Sequence, residues 1–298
     1  MLQGFNRHAV TPMLQRSGEP PWVATTCPGS VAAAVAAVKV GSSDVVICAA
    51  GAGDVPLGWL AAGAGAVVAV GTPIELALVA LKASALARLR AIERRQLWGL
   101  EAAGRRVWLL HEAARGMEAP ERAFWRTNEA WVREGLDGAG RLERRIGPRW
   151  APRGPGRVAR ELAWRRICHG ATLVVPGLVP PAGARARWLF PSNPVLSDPW
   201  SARVLSGAWG PTPPAWLRPD CRLGDRVGQL ERVDKADLAA LAAALARATV
   251  IDRTGLGVEI PDRCAWVRRS WGTNAAADGS PWGGGLEVGR PGVSPLTR

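Results

Sequence analysis

The chain has no tyrosine, only three phenylalanines, three lysines and three histidines among 298 residues. Without tyrosine no phenolate can serve as a base, and an imidazole base has to be His8, His111 or His169. The five cysteines (Cys27, Cys48, Cys168, Cys221 and Cys264) are scattered and never form a C-x-x-C pair. That pattern argues against a zinc site or a disulfide framework, and no metal is expected; a reducing cytosol is the simplest home. The segment from Met1 to Pro21 lacks an apolar signal core. Val55 to Ile74 runs without a charge for about 20 residues, the length of a membrane span. Its prolines and glycines, from Pro56 to Pro73, break it instead into helix, turn and strand.

What is present is arginine, tryptophan and small residues. The formal net charge is +13, carried almost entirely by arginine, and there are 15 tryptophans. Skewed codon usage in a GC-rich genome accounts for that composition at least as well as binding does, so the sequence pI of 11.1 does not by itself specify a polyanionic partner. With 48% apolar and 21% charged residues, the balance is that of a globular protein long enough to bury a full core.

The organisation reads as an α/β fold. Val45–Ala49 is a β-branched run ending in the turn Ala50-Gly51-Ala52-Gly53-Asp54. A helix near Val55–Ala62 and a second strand at Val67–Val70 follow. From Pro73 to about Trp98 we expect one long helix with Ile74, Leu78, Leu81, Ala85, Leu89 and Ile92 on its buried face. Between Gly99 and Leu223 the alternation stops, with helical pieces at Pro120–Gly135 and Val158–His169. It resumes with a strand at Leu230–Val233, a helix at Lys235–Ala248 with Leu238, Leu241 and Leu245 on one face, and a strand at Thr249–Asp252. The predicted fold class is therefore a Rossmann-like, doubly wound, methyltransferase-type sheet interrupted by a large, mainly helical insertion. Residues 1–40 form an N-terminal segment, 41–98 and 226–271 the split nucleotide-binding domain, 99–225 the insertion, and 272–298 a flexible tail.

Four blocks occur in a telling order. The first joins Ala50-Gly51-Ala52-Gly53-Asp54 to Trp59-Leu60-Ala61-Ala62-Gly63. The second is Val67–Val70 with Pro73, Leu76-Ala77-Leu78 and Leu81-Lys82. The third is Arg122-Ala123-Phe124-Trp125 followed by Gly138-Ala139-Gly140-Arg141-Leu142-Glu143. The fourth is Asn193-Pro194, Leu205-Ser206-Gly207 and Pro214–Pro219. Together, over roughly residues 40–265, they resemble the S-adenosylmethionine:diacylglycerol 3-amino-3-carboxypropyltransferases of betaine-lipid synthesis, the BtaA-like family.

That resemblance implies S-adenosylmethionine as co-substrate, with Gly51, Gly53, Asp54, Gly71 and Thr72 among the residues that hold it. Asp54 is placed to meet the amino group of the methionine moiety, and a helix cap is its other reading. Asp234 or Asp237, after the late strand, stands where adenine or its ribose is contacted; Asp237 is equally a cap. The chain departs from the family at Val70-Gly71-Thr72-Pro73, which lacks the acid that usually binds the ribose hydroxyls. A lost charge-assisted hydrogen bond is worth about 1.5–3 kcal/mol, or about 10- to 150-fold in affinity. Glu75 is the candidate replacement; otherwise it is an acid favoured by the helix dipole. The catalytic candidates are His111, as general base, and Asp252, at the end of a strand on the ligand side.

The implied reaction moves a 3-amino-3-carboxypropyl group to a hydroxyl acceptor, most specifically a diacylglycerol-like lipid. Methyl transfer on the same fold, and a non-catalytic basic scaffold binding membrane or nucleic acid, remain as alternatives. Arg141–Arg166, rich in arginine with Trp150 and Trp164 between, suits an anionic membrane surface and also a plain solvated face. No nucleic-acid motif accompanies the charge. The expected location is the cytoplasm, with peripheral contact at the inner membrane face.

Overall fold

The computed structural model describes residues 20–22, 25, 31–141, 214–254, 256, 261–269 and 286–289. The apolar runs form the strands of one six-stranded sheet: β1 Val45–Ala49, β2 Ala66–Gly71, β3 Leu230–Asp234, β4 Val250–Asp252, β5 Ala265–Arg269 and β6 Leu286–Gly289. Their order is β3-β2-β1-β4-β5-β6. All neighbours run parallel except β5 and β6. The protein is thus α/β with a mostly parallel mixed sheet, compatible with a Rossmann-like fold.

Strands buried on both faces read as near-continuous apolar runs, and this is what β1 and β2 do. Val46, Cys48, Val67 and Ala69 pack on one face against α2 (Asp54–Ala61) and α3 (Pro73–Arg88). Ile47, Val68, Val70, Val233 and Ile251 pack on the other, against α8 (Leu238–Arg247). Before the sheet lies α1 (Ala32–Val38), and after α3 come α4 (Ala91–Trp98), α5 (Arg106–Ala114), α6 (Ala119–Thr127) and α7 (Glu129–Glu134). All four of the latter lie in the connection between β2 and β3. The helix expected at Val158–His169 lies outside the described residues.

Four expectations change. The long helix is two, because Leu89 and Arg90 take extended backbone and Arg90 starts α4. Ile92 consequently leaves the buried stripe and is 48% exposed. The helix foreseen over Pro120–Gly135 likewise breaks at Asn128, whose side-chain amide donates to the Phe124 carbonyl. In α8, Leu238 is 74% exposed while Leu241 and Leu245 pack on the sheet: the helix begins only after Asp237, whose carboxylate accepts from the Ala240 N–H. Finally, the expected tail contributes β6, paired antiparallel with β5. Among the described residues no helix is long and apolar enough to cross a membrane.

Candidate functional site

In an open parallel sheet, ligands bind outside the carboxyl ends of the strands, where the strand order reverses. Here that point lies between β1 and β4, the two strands wound outward in opposite directions. The turn after β1 is built for close approach. Gly51 has φ +48° and Gly53 has φ +90°, a region that side chains disfavour. A Cβ on Gly53 would press at 3.2–3.3 Å on Lys82 and on the backbone of Val79, whereas one on Gly51 would meet nothing within 4 Å. Gly53 lets α2 seat against α3; Gly51 borders open space.

Asp54 opens α2 immediately after this turn and meets Lys82 and Trp216, which belong to the second and fourth blocks but whose pairing with it no spacing announced. Its Oδ1 accepts from Lys82 Nζ at 2.9 Å and from the Trp216 indole N–H at 2.7 Å. Lys82 is wholly buried, also donates to the Thr25 carbonyl at 2.9 Å, and lies 4.9 and 4.8 Å from the ring centroids of Trp98 and Trp216. A lysine in the middle of a helix reads as a solvated residue; here a carboxylate, a carbonyl and two indole faces replace its water. Arg94, buried in α4, donates to the Leu89, Trp216 and Arg218 carbonyls and so fixes the segment that carries Trp216. Burial holds its guanidinium below the ordinary arginine range.

At the end of β2, Gly71 is packed closely: a Cβ there would lie 2.6 Å from Ala50 Cβ and 3.0 Å from Glu75 Oε2. No carboxylate-bearing side chain fits at this position. Glu75 brings one to the same place from α3. Its Oε2 accepts from the Thr72 N–H at 2.8 Å and the Thr72 hydroxyl at 2.9 Å, while Thr72 Oγ1 accepts from the Glu75 N–H at 3.3 Å. This reciprocal capping box holds the carboxylate at the strand tip, half-buried.

Asp234 pairs in register with Gly71, and its Oδ1 accepts from the Ala236 N–H. Asp237 caps α8. Asp252 is fully buried at the end of β4, where its carboxylate accepts from the Trp59 indole at 3.0 Å and the Thr254 N–H at 3.1 Å. It ties α2 to β4 beneath the turn. His111 stands on α5, outside this set, half exposed and 2.6 Å from Glu129 Oε1 on α7. Thus Gly51, Gly53, Asp54, Gly71, Thr72, Glu75, Asp234 and Asp252 gather along the carboxyl edge, Asp237 starts the helix beyond it, and His111 belongs to the helical layer. His8, His169 and the Arg141–Arg166 stretch, apart from Arg141 itself, lie outside the described residues.

Among the described residues no group of three His, Cys, Asp or Glu side chains is arranged to hold a metal ion. Compared with family models, with curated proteins and with solved structures, the chain gives no match.

Proposed function

We propose that the carboxyl edge of the sheet binds S-adenosylmethionine and that the protein transfers its 3-amino-3-carboxypropyl group to a hydroxyl acceptor, with a diacylglycerol-like lipid as the preferred class. The observation that carries this reading is the Glu75 carboxylate at the tip of β2. A dinucleotide-type site sets an acid about 20 residues after the glycine turn to hold the ribose hydroxyls. Glu75 supplies it from the helix because Gly71 cannot. Its Oε1 makes no hydrogen bond among the described residues, so one acceptor is left for a hydroxyl. Gly51 gives the backbone room for a ligand, and Asp234 lies one strand further out.

When bound, the donor offers an electrophilic carbon beside a sulfonium, whose departure leaves a neutral thioether. As the acceptor oxygen bonds to that carbon, its C–S bond breaks and the hydroxyl proton passes to a base. His111 with Glu129 is the candidate base on the acceptor side, its imidazole already oriented by the carboxylate. Asp252, beneath the turn, supports the Trp59 indole rather than meeting the acceptor. Peripheral membrane contact through Arg141–Arg166 and a cytoplasmic location belong to the same proposal.

The test is calorimetric titration with S-adenosylmethionine, followed by product analysis with diacylglycerol. Binding in the micromolar range, weakened about 10- to 150-fold in Glu75→Gln, is expected from loss of a charge-assisted hydrogen bond. Gln keeps an acceptor for the Thr72 cap, so the fold should survive. Release of methylthioadenosine supports aminocarboxypropyl transfer, release of S-adenosylhomocysteine would move the reading to methyl transfer, and absence of binding at millimolar donor would sink it.

A further inference from the structure

The carboxyl edge has a polarity of charge that gives a bound ligand a direction. From β3 through β2 and β1 to β4 the order is Asp234, the Glu75 carboxylate over Gly71, the Gly51–Gly53 turn, and Arg253. Register fixes the last of these. Ile47 pairs with Ile251, so Arg253, two residues on, stands at the level of Ala49, where the glycine turn begins. Its backbone N–H donates to the Val267 carbonyl at 2.8 Å, which pins the Cα between β1 and β5. Its guanidinium lies over the Trp266 ring, 5.0 Å from the centroid.

Arg253 forms no ion pair and no side-chain hydrogen bond among the described residues. A partly buried guanidinium stacked on an indole, its donors meeting no carboxylate among the described residues, is preorganised for a planar anion. The neighbouring acid, Asp252, is turned to Trp59. Arg268 and Arg269 end the neighbouring strand β5, with Arg268 level with Arg253, and Lys235, just past the end of the outermost strand beside Asp234, is exposed. Three strand spacings separate β3 from β4, about 14 Å.

We infer that Arg253 is the anion-recognising residue of the crevice, so that the ligand lies with its hydroxyl-bearing end over β2 and β3 and an anionic group, a carboxylate or a phosphate, at β4. The inference deepens the proposed function and rests on it for the nucleoside half; the anion half stands on Arg253 alone. Calorimetric titration of the full chain separates the two with three probes: S-adenosylmethionine, methylthioadenosine (the same nucleoside without the carboxylate-bearing tail) and inorganic phosphate.

Wild-type protein is expected to bind S-adenosylmethionine at least tenfold more tightly than methylthioadenosine. Arg253→Gln should erase that preference, weakening S-adenosylmethionine 10- to 100-fold with methylthioadenosine unchanged. Arg253→Lys, which keeps the cation and loses the stacked plane, should fall between and carries the test if the Gln variant does not fold. Lys235→Ala should leave all three titrations as they were. If neither nucleoside binds but phosphate binds and is lost in Arg253→Gln, the nucleoside reading falls and the anion site stands. If the Arg253 variants leave both S-adenosylmethionine and phosphate binding unaltered, or if wild-type protein binds neither, the inference is overturned.

Discussion

Among the described residues, the ion pair Lys82–Asp54 and the largely buried pair Arg232–Glu121 are built to different standards. At the glycine turn, the Lys82 ammonium has directed hydrogen bonds to Asp54 and to the Thr25 carbonyl, and indole faces beside it. At the outer sheet edge, Arg232 on β3 meets Glu121 on α6. Arg232 Nε and Glu121 Oε1 lie 2.9 Å apart, yet neither atom makes a hydrogen bond. Glu121 spends its other oxygen on the Glu118 N–H at the start of α6, and Arg232 has a second carboxylate, Glu118, at 3.6 Å. Burial pushes the Glu121 carboxyl above its ordinary range, and the pull of Arg232 does not restore it. The lesson is that proximity is not satisfaction: a buried pair repays its lost hydration only when its lone pairs and protons are directed at partners. The better-built pair is the one beside the candidate site.

The contrast is most sharply broken at Lys82. Lys82→Ala strands the Asp54 carboxylate in the interior and should cost about 3–5 kcal/mol in urea unfolding. Replacing both partners, as Asp54→Asn with Lys82→Met, should recover much of that loss, since two neutral groups of similar volume remove the desolvation penalty altogether. Trp216→Phe keeps an aromatic face over Lys82 but deletes the donor to Asp54. A loss of about 1.5–3 kcal/mol is expected, the range for a hydrogen bond to a charged group.

The smallest effect is one of slope. Because Glu121 binds its proton more tightly folded than unfolded, its contribution is full below the unfolded pKa of about 4.5. It then declines as pH rises through the higher folded value. Glu121→Gln, which preserves an acceptor for the Glu118 N–H, should flatten that decline in stability measured from pH 4 to 8. An unchanged slope would place the two ion pairs on an equal footing.

What was legible in the sequence was local. The β-branched runs at Val45 and Val67, the glycine turn, and Pro73 in the first turn of α3 each state their own conformation through sterics, and they form as read. The break at Leu89-Arg90 was not legible, because every residue around it tolerates helix and the stop comes from packing against the Trp216 segment through Arg94. β5 and β6 escaped notice for a similar reason: Ala265–Arg269 contains two arginines and no clean alternation, and its strand conformation comes from the neighbouring ladders.

At the site, the residues that sequence singled out gather at one edge, except Asp237, which caps the helix beyond it, and His111, which sits in the helical layer; the roles of their partners were hidden. Lys82 and Asp54 are 28 positions apart, and Trp216 and Asp54 are 162 apart. No periodicity encodes such a meeting. Gly71 looked like the loss of an acid. In space Ala50 Cβ, 2.6 Å from where a Gly71 Cβ would stand, leaves no room for a side chain there, and the Glu75 carboxylate lies beside it at 3.0 Å.

The pairing of β1 with β4 has a consequence for how the chain is made. Val46 and its partner Val250 are 204 positions apart. β2 emerges soon after β1 and covers one side of it, but the other side waits. At about 5–20 residues per second, the ribosome needs about 10–40 s to deliver β4. For that interval the strand bearing the glycine turn presents an open, apolar edge, the feature that recruits wrong partners. Nascent chains stalled between β2 and β4 should therefore be the most aggregation-prone lengths of this polypeptide, and release should come abruptly once Asp252 clears the exit tunnel.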